Sequence, residues 1–246
     1  MLRVRKNLSK KRKNLNELDT AVADSLYKWR VLDSRKQGKQ ARHQAQLTIN
    51  KCKSILKGRS RDEQLLNKAL IYGVFFRGLQ DYNDLAILTH LPDWNQQPEL
   101  IEKIWNLLCD CEDRMKFTSF YIKGPIAEMV LSGISRLEKE FKNLPELYGS
   151  VCFDGKRVTC SICHRDFRSC WHIRGHIYAG AICCATMNER HMVIPEISLT
   201  PEPKDKRCRI WPWQISTDGQ FEGTFAIHFR LDDFMRESQS NTDWII

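Results

Sequence analysis

The 246-residue chain contains 42% apolar and 28% charged residues, a composition typical of globular proteins rather than of disordered or membrane-spanning ones. No apolar run approaches the roughly 20 residues that a transmembrane helix needs, and we expect no membrane partner. The basic N-terminus is not followed by an apolar segment, so we expect no secretory signal and a cytoplasmic (intracellular) protein with reduced cysteines.

Positive charge is concentrated in the first quarter of the chain. The net charge is +9, yet residues 1–60 contain 17 Lys and Arg against 4 Asp and Glu, whereas residues 151–246 contain 12 of each kind. A basic region on a nearly neutral body indicates an acidic partner, and nucleic acid offers phosphate groups to such a region.

Residues 1–14 carry little apolar surface to bury, so we expect a basic disordered arm. The arm would contact phosphates without reading sequence, although a solubilising tail would have the same composition. The arm residues predicted to bind nucleic acid are Arg3, Arg5, Lys6, Lys10, Lys11, Arg12 and Lys13.

Apolar residues then recur at three- and four-residue steps, which predicts an α-helical domain over residues 15–145 with five or six helices. The first stripe, 15–32, and the second, 41–56, predict two helices or one interrupted helix ending near Gly58. Further helices are predicted over 63–79, 82–91, 98–108 and 126–141. Alternatively, the stripe 15–32 binds a protein partner, which would make the chain a protein-binding subunit of a larger assembly.

Helical periodicity disappears after Pro145, and residues 146–231 are predicted to form a zinc-binding, β-rich domain. Residues 193–199 are β-prone. Two further predicted strands, 209–216 and 221–231, flank Asp218-Gly219, a dipeptide typical of hairpins. Residues 232–246 are predicted to form a polar tail. The expected fold class is therefore α+β, an N-terminal all-α helical bundle followed by a small zinc-stabilised β-rich domain.

The predicted strand 209–216 contains two tryptophans, Trp211 and Trp213, close in sequence to Arg207 and Arg209. They could stack on exposed bases or on a partner. Because alternate residues of a strand face the same side, we expect instead that they cover a small core.

The segment 160–184 contains the densest run of cysteine and histidine in the chain. One turn of the form C-x2-C can present two sulfurs to a tetrahedral ion, and Cys160 and Cys163 have that spacing. Cys170 and His172 are the preferred second pair, with Cys183 in reserve; the alternative set uses His172 and Cys183 and leaves Cys170 spare. We predict a structural zinc ion, because a histidine within the run and the lack of ferredoxin spacings disfavour an iron–sulfur cluster.

The order C-x2-C-loop-C-x-H-x2-G-x2-Y-x-G-x2-C is similar to a zinc module of phage- and prophage-encoded proteins. The residues that carry the resemblance are Cys160, Cys163, Cys170, His172, Gly175, Tyr178, Gly180 and Cys183. The following stretch, EISLTPEPKDKRCRI, resembles a segment of prohead-protease-like proteins, in which a serine at the position of Ser198 is a nucleophile. The resemblance covers about a fifth of the chain, and the histidines nearest to Ser198 belong to the predicted metal site.

Catalytic motifs that use a metal are missing their partners in this sequence. No histidine is followed two residues later by Glu, as a zinc deaminase requires, and H-E-x-x-H does not occur. A four-ligand zinc site leaves no position for an activated water, so we assign no catalytic residue. The sequence thus favours a zinc-dependent, non-catalytic binding or adaptor protein that contacts nucleic acid. The alternatives are a phage-type protease-like protein using Ser198 and a metal-dependent hydrolase.

Overall fold

The computed structural model describes residues 2–58, 60–155, 158–187, 192–203 and 205–215, of which 2–12, 150–155, 187 and 192–197 are described by their backbone alone. In these residues, five α-helices come first and short strands follow, which confirms the predicted α+β class. The helices are α1 Leu2–Ser34, α2 Gly38–Lys57, α3 Glu63–Thr89, α4 Pro98–Ser119 and α5 Pro125–Glu140.

The first helix begins earlier than the apolar pattern indicates. Helix α1 begins at Leu2 rather than near Leu15, so its backbone includes the basic segment that the sequence analysis treats as a separate disordered arm. A three-residue turn containing Lys36, whose φ is 57°, reverses the chain, so α1 and α2 form a helical hairpin. Pro98 and Pro125 lie in the first turns of α4 and α5, where a missing N–H costs no hydrogen bond.

Helix α3 is one continuous element, although the sequence predicts two helices in this segment. It is buried almost all round and forms the centre of the helical bundle. Gly78 allows α4 to approach closely, since a Cβ added at this position would lie 2.8 Å from Cε of Met115. The stripe of α1 packs on this helix, and the Trp29 indole donates to Oδ1 of Asn83 at 2.8 Å. The apolar stripe 15–32 is therefore used largely within the chain's own core.

The strands are β1 Leu147–Gly155, β2 Val158–Cys160, β3 Ile177–Tyr178, β4 Ala181–Ile182, β5 Ala185–Met187, β6 Met192–Thr200 and β7 Arg209–Ile210. A three-stranded antiparallel sheet has the order β6-β1-β7, and β2 pairs with β5 and β3 with β4 in two small antiparallel pairs. Strand β6 agrees with the β-prone stretch 193–199.

The predicted strand 209–216 is wrong over Pro212–Gln214. Strand β7 ends at Ile210, and a 3-10 turn, Pro212–Gln214, follows. Proline cannot donate to a strand ladder, and it suits the first position of such a turn. Trp211 and Trp213 stack at 5.2 Å between ring centroids because of this turn, not because they alternate along a strand. The predicted Asp218-Gly219 hairpin and the tail 232–246 lie outside the described residues.

The segment before β7 anchors the strand-containing part on the helices. The Arg207 guanidinium, 6% exposed, contacts Asp110 at 2.6 Å and Asp113 at 2.8 Å, both on α4. The Trp105 indole donates to the carbonyl of Lys206 at 2.7 Å. Arg209 lies over the Trp105 ring at 4.6 Å. Helices and strands therefore share one hydrophobic core, which includes Trp211.

Among the described helices, none is both long enough and apolar enough to cross a membrane. The nine cysteines whose side chains are described are free thiols, and no disulfide joins any of these nine.

Candidate metal centre

The first half of the site is the turn that follows β2. Cys160 is fully buried at the end of this strand, and its carbonyl accepts from the N–H of His164 at 2.8 Å, which closes a tight turn. The N–H of Ile162 points at the Cys160 Sγ atom, 3.4 Å away. Burial opposes ionisation of this thiol, but the N–H groups of Cys163 and Ile162 lower its pKa below the ordinary cysteine value. The turn thus favours the thiolate that a metal ion requires.

The second half of the site follows a 3-10 turn, Phe167–Ser169. Asp166 caps this turn by accepting from the N–H of Arg168 at 2.9 Å. Cys170 and His172 come directly afterwards in an extended segment. The His172 imidazole stacks on Trp171, with 4.0 Å between ring centroids, and meets the edge of Tyr178 at 4.7 Å. These rings hold the imidazole in one orientation.

The two halves converge on one point. The donor atoms of Cys160, Cys163, Cys170 and His172 all lie within 4.8 Å of one another, which is the set that the sequence analysis prefers. The Nδ1 atom of His172 is buried and has no hydrogen-bond partner. A buried nitrogen without a partner is costly, and coordination to a metal ion would satisfy it. Three sulfurs and one imidazole are a donor set that suits zinc, so the residues present fit a metal ion.

The reserve ligand, Cys183, lies at the edge of this cluster. Its Sγ atom is 3.7 Å from that of Cys160, close to the separation of about 3.8 Å expected for two sulfurs on one tetrahedral zinc ion. Burial and the neighbouring Cys160 raise the pKa of the Cys183 thiol to about 12. Of these two thiols, only Cys160 has a pKa below the ordinary cysteine value.

The β3–β4 hairpin packs beside the candidate ligands. The N–H of Cys183 donates to the carbonyl of His176 at 2.7 Å, and the carbonyl of Cys183 accepts from Gly175 at 2.8 Å. The β3–β4 turn then rests on the helices, because the N–H of Gly180 donates to Oδ1 of Asn67 on α3 at 2.7 Å. The ligand residues are thereby tied to the helical bundle through the hydrogen bond from the Gly180 main chain to the Asn67 side chain.

Comparison with known proteins adds no further information on the ligands. No protein-family model, curated protein or solved structure matches this chain. The resemblance to a phage zinc module therefore stays a prediction. The grouping of the ligands rests on the geometry of the site itself.

The remaining predicted site residues lie away from this cluster in sequence. Ser198 lies in β6 opposite Ser150 of β1, and its role as a nucleophile stays a prediction. Of the predicted nucleic-acid-binding residues, Lys13 is exposed and lies 3.9 Å from Glu17. The other six, Arg3 to Arg12, lie on the first turns of α1, where only the backbone is described.

Two features escaped the sequence analysis. Trp171, between two predicted ligands, is 74% exposed, although tryptophan usually buries most of its surface. Its position in the C-W-H segment, outside any apolar periodicity, was the only available signal. The second feature is an exposed basic surface on the α1–α2 hairpin. The excess of Lys and Arg over residues 28–57 could have indicated this surface.

Proposed function

We propose that this chain is a zinc-stabilised, non-catalytic binding protein that contacts nucleic acid through its basic N-terminal region. The main support is the concentration of exposed Lys and Arg on the α1–α2 hairpin. Residues 28–57 contain nine Lys and Arg and a single acidic residue, Asp33. The exposed members are Lys28, Arg30, Arg35, Lys36, Lys39, Arg42, Lys51 and Lys57.

The basic residues of the hairpin are displayed on a rigid support. The apolar side chains of both helices pack inward, with Trp29 and Ile49 fully buried, so the charged side chains lie on the outer faces. Arg42 is held by Asp84 at 2.6 Å, whereas the turn residues around Lys36 extend into solvent. A surface of one sign attracts the phosphate backbone, and its affinity depends steeply on salt. The seven basic residues of 1–14 form a second basic segment of α1, separated from the first by a stretch that contains Glu17, Asp19 and Asp24 and no Lys or Arg.

A structural role for the metal is consistent with this proposal. Cys160, Cys163, Cys170 and His172 would hold zinc with all four positions filled by protein, which leaves no site for an activated water. The ion would supply folding energy to a part of the chain that has few apolar residues of its own. A protein that acts by binding needs the ion only to stabilise its fold, not to activate a water molecule.

A protein partner at α1 stays a prediction. Leu18 and Val22 are buried within this chain, so such a partner would have to use the other face of the helix. Tyr27 is on that face and is 72% exposed. The charge of the surrounding surface favours nucleic acid over an apolar protein surface as the partner.

Fluorescence anisotropy with labelled single-stranded and duplex DNA, at salt from about 50 to 200 mM, tests the proposal. Two four-fold variants remove basic residues, one from the arm and one from the hairpin. The arm variant changes Lys10, Lys11, Arg12 and Lys13 to Gln, and the hairpin variant changes Lys28, Arg30, Arg35 and Lys39 to Gln. A matched control changes four exposed lysines of the other helices and their connections, Lys103, Lys123, Lys139 and Lys142, to Gln.

We expect one or both N-terminal variants to bind more weakly. On duplex DNA, the slope of log affinity against log salt should fall by about 0.9 for each phosphate contact removed. The control should leave the affinity and the slope close to those of the parent protein. Undetectable binding at low salt would exclude the nucleic-acid partner, and equal effects of all three variants would exclude the N-terminal region as the contact site.

A further inference from the structure

Trp171 forms a flat apolar surface on the outside of the metal centre. The indole is 74% exposed, and the neighbouring Ile173 is 55% exposed. Isolated exposed apolar residues are common, but an indole of this exposure is large enough to contribute strongly to an interface. The ring is also held rigidly. One face stacks on His172 at 4.0 Å, and the Tyr178 ring meets Trp171 edge-on at 5.7 Å.

The support behind the indole is itself fixed by main-chain contacts. The Tyr178 hydroxyl accepts from the N–H of Ile173 at 3.1 Å, which closes the loop around His172. Since one face of Trp171 is occupied by the imidazole, only the opposite face is available to a planar ligand. A preorganised ring of this kind loses little conformational entropy when a second ring stacks on it.

The chain segment that contains Trp171 is basic. Residues 158–187 contain three arginines and only one acidic residue, Asp166, which is bound to Arg168 at 2.9 Å. Arg165 and Arg174 are exposed on the same loop region. An apolar ring among arginines matches a nucleobase with its phosphates better than it matches an apolar protein surface.

We propose that Trp171 is a stacking platform for an unpaired base of single-stranded nucleic acid, with the neighbouring arginines contacting the phosphates on either side. This inference rests on the proposed function, which names nucleic acid as the partner. It adds that the nucleic acid bound at Trp171 is single-stranded. In a duplex the faces of the bases are covered by their neighbours, so only an unpaired base can stack on the indole. The platform also depends on the metal, because the imidazole that supports Trp171 is one of the four ligands.

The test compares three variants of the full-length, metal-loaded protein on labelled single-stranded DNA and RNA and on duplex DNA of the same length. Trp171→Ala removes the ring, and Trp171→Phe restores an aromatic face. Phe120→Ala is the matched control, because Phe120 is an equally exposed aromatic residue, 76% exposed, on the helical part. Metal content is measured for each variant, so that a damaged site is recognised.

We expect Trp171→Ala to weaken single-strand binding about tenfold, within the range of roughly five- to hundredfold for a lost base stack. Duplex affinity and the salt slope should not change, Trp171→Phe should retain most of the single-strand affinity, and Phe120→Ala should have no effect. Equal losses on single strands and duplex, or no loss, would overturn the stacking role. A change of mass in light scattering with unaltered nucleic-acid affinity would also overturn it, by making this surface a protein contact.

The two proposals fail separately. If the basic variants described above are without effect, the N-terminal contact is wrong, whatever Trp171→Ala does. If Trp171→Ala binds like the parent while the basic variants are weakened, the stacking platform is wrong and the proposed function stands.

Discussion

Metal coordination would satisfy the buried ring nitrogen of His172. Its ring is held between Trp171 and Tyr178, yet its Nδ1 atom is buried without a partner. A histidine on a solvated loop would turn this atom towards water. The three thiols lie within 4.8 Å of a ring nitrogen of His172, which is consistent with a single ion shared by all four residues.

The ligand set can be distinguished from its alternative by metal analysis of purified variants. We expect His172→Ala and Cys170→Ser to weaken metal binding by more than about 100-fold, since loss of even an outer-shell partner costs 10- to 100-fold. Cys183→Ser should retain the metal, because Cys183 lies outside the set of four. His176→Ala, an exposed histidine of the same segment, is the control. Loss of metal in Cys183→Ser with retention in Cys170→Ser would favour the alternative set.

At Asp81, burial disfavours the charged carboxylate, whereas two neighbouring arginines favour it. Its carboxylate is fully buried on α3, 2.7 Å from Nη1 of Arg114 and 3.3 Å from Nε of Arg77. Desolvation raises its pKa to about 6 in spite of the two arginines. The folded protein therefore holds a proton on Asp81 at pH values at which the unfolded chain has already lost it.

This pKa predicts the pH dependence of stability. Because the folded pKa lies above the unfolded value, the contribution of Asp81 to the free energy of unfolding is greatest below about pH 4, decreases up to about pH 6 and is then constant. Urea unfolding, followed by helical circular dichroism, should be compared for the parent and Asp81→Asn at several pH values. The free energy of unfolding of the parent minus that of Asp81→Asn should decrease between about pH 4 and pH 6. Titration of the metal ligands contributes equally to both proteins and does not affect this difference. A difference that grows with pH would mean that the arginines outweigh desolvation.

At the scale of elements, the β3–β4 turn joins the segment 158–187, which carries the candidate ligands, to the helices. Gly180 lies at the contact, with φ of 80°, and a Cβ there would be 2.8 Å from Cδ2 of Leu56 and 3.1 Å from Cβ of Leu66. Gly175 has almost the same φ, 81°, but nothing lies within 4 Å of its added Cβ. Substitutions at these two glycines therefore differ in steric contact but share the same backbone strain, so their comparison measures the steric contribution.

We expect Gly175→Ala to cost about 1–2 kcal/mol of stability, the strain of an L-residue in the left-handed region. Gly180→Ala should cost more by about 1–3 kcal/mol, because the methyl group also overpacks the contact with α2 and α3. Thermal and urea unfolding of both variants measure the difference. Equal losses would show that the turn can move away from the helices without penalty.

At the scale of the whole molecule, the strand-containing part and the helical bundle share a core. Ile182, Cys184 and Trp211 belong to the same apolar cluster as the large side chains of α3. The bundle nevertheless has its own buried centre around Phe75 and Phe76. Loss of the metal should therefore affect the two parts unequally.

Removal of the ion by a chelator, or the substitution Cys163→Ser, should unfold the metal-binding region and leave the helical circular dichroism largely intact. A structural zinc can supply roughly 10–16 kcal/mol of apparent binding free energy at neutral pH, more than a module of this size obtains from packing. Hydrogen exchange should show lost protection in 158–187, with a smaller loss near Leu56 and Leu66, on which Gly180 rests. Readdition of Zn²⁺ is the control for the chelated protein. Full protection after metal removal, or uniform loss in all helices, would contradict this.

Local patterns predicted the helices well, because each has a strong apolar stripe or a proline in its first turn. They predicted less well where α1 begins and which structure the segment around Trp211 and Trp213 adopts. Charge gives no helical periodicity, so the sequence placed the start of α1 near Leu15. Trp211 belongs to a turn whose packing against Trp105 and Phe141 depends on residues about 70 to 110 positions away.

The sequence by itself determined the α+β class, the candidate ligands and the concentration of basic charge, because these depend on composition and on spacings of a few residues. Only the tertiary structure decided that Cys170 and His172 join Cys160 and Cys163 within one 4.8 Å cluster while Cys183 stays at its edge. It alone placed Trp171 outside that cluster, exposed and stacked on the His172 imidazole. Both outcomes depend on how a loop folds back onto a distant hairpin, and such distances in space are not encoded in any local spacing.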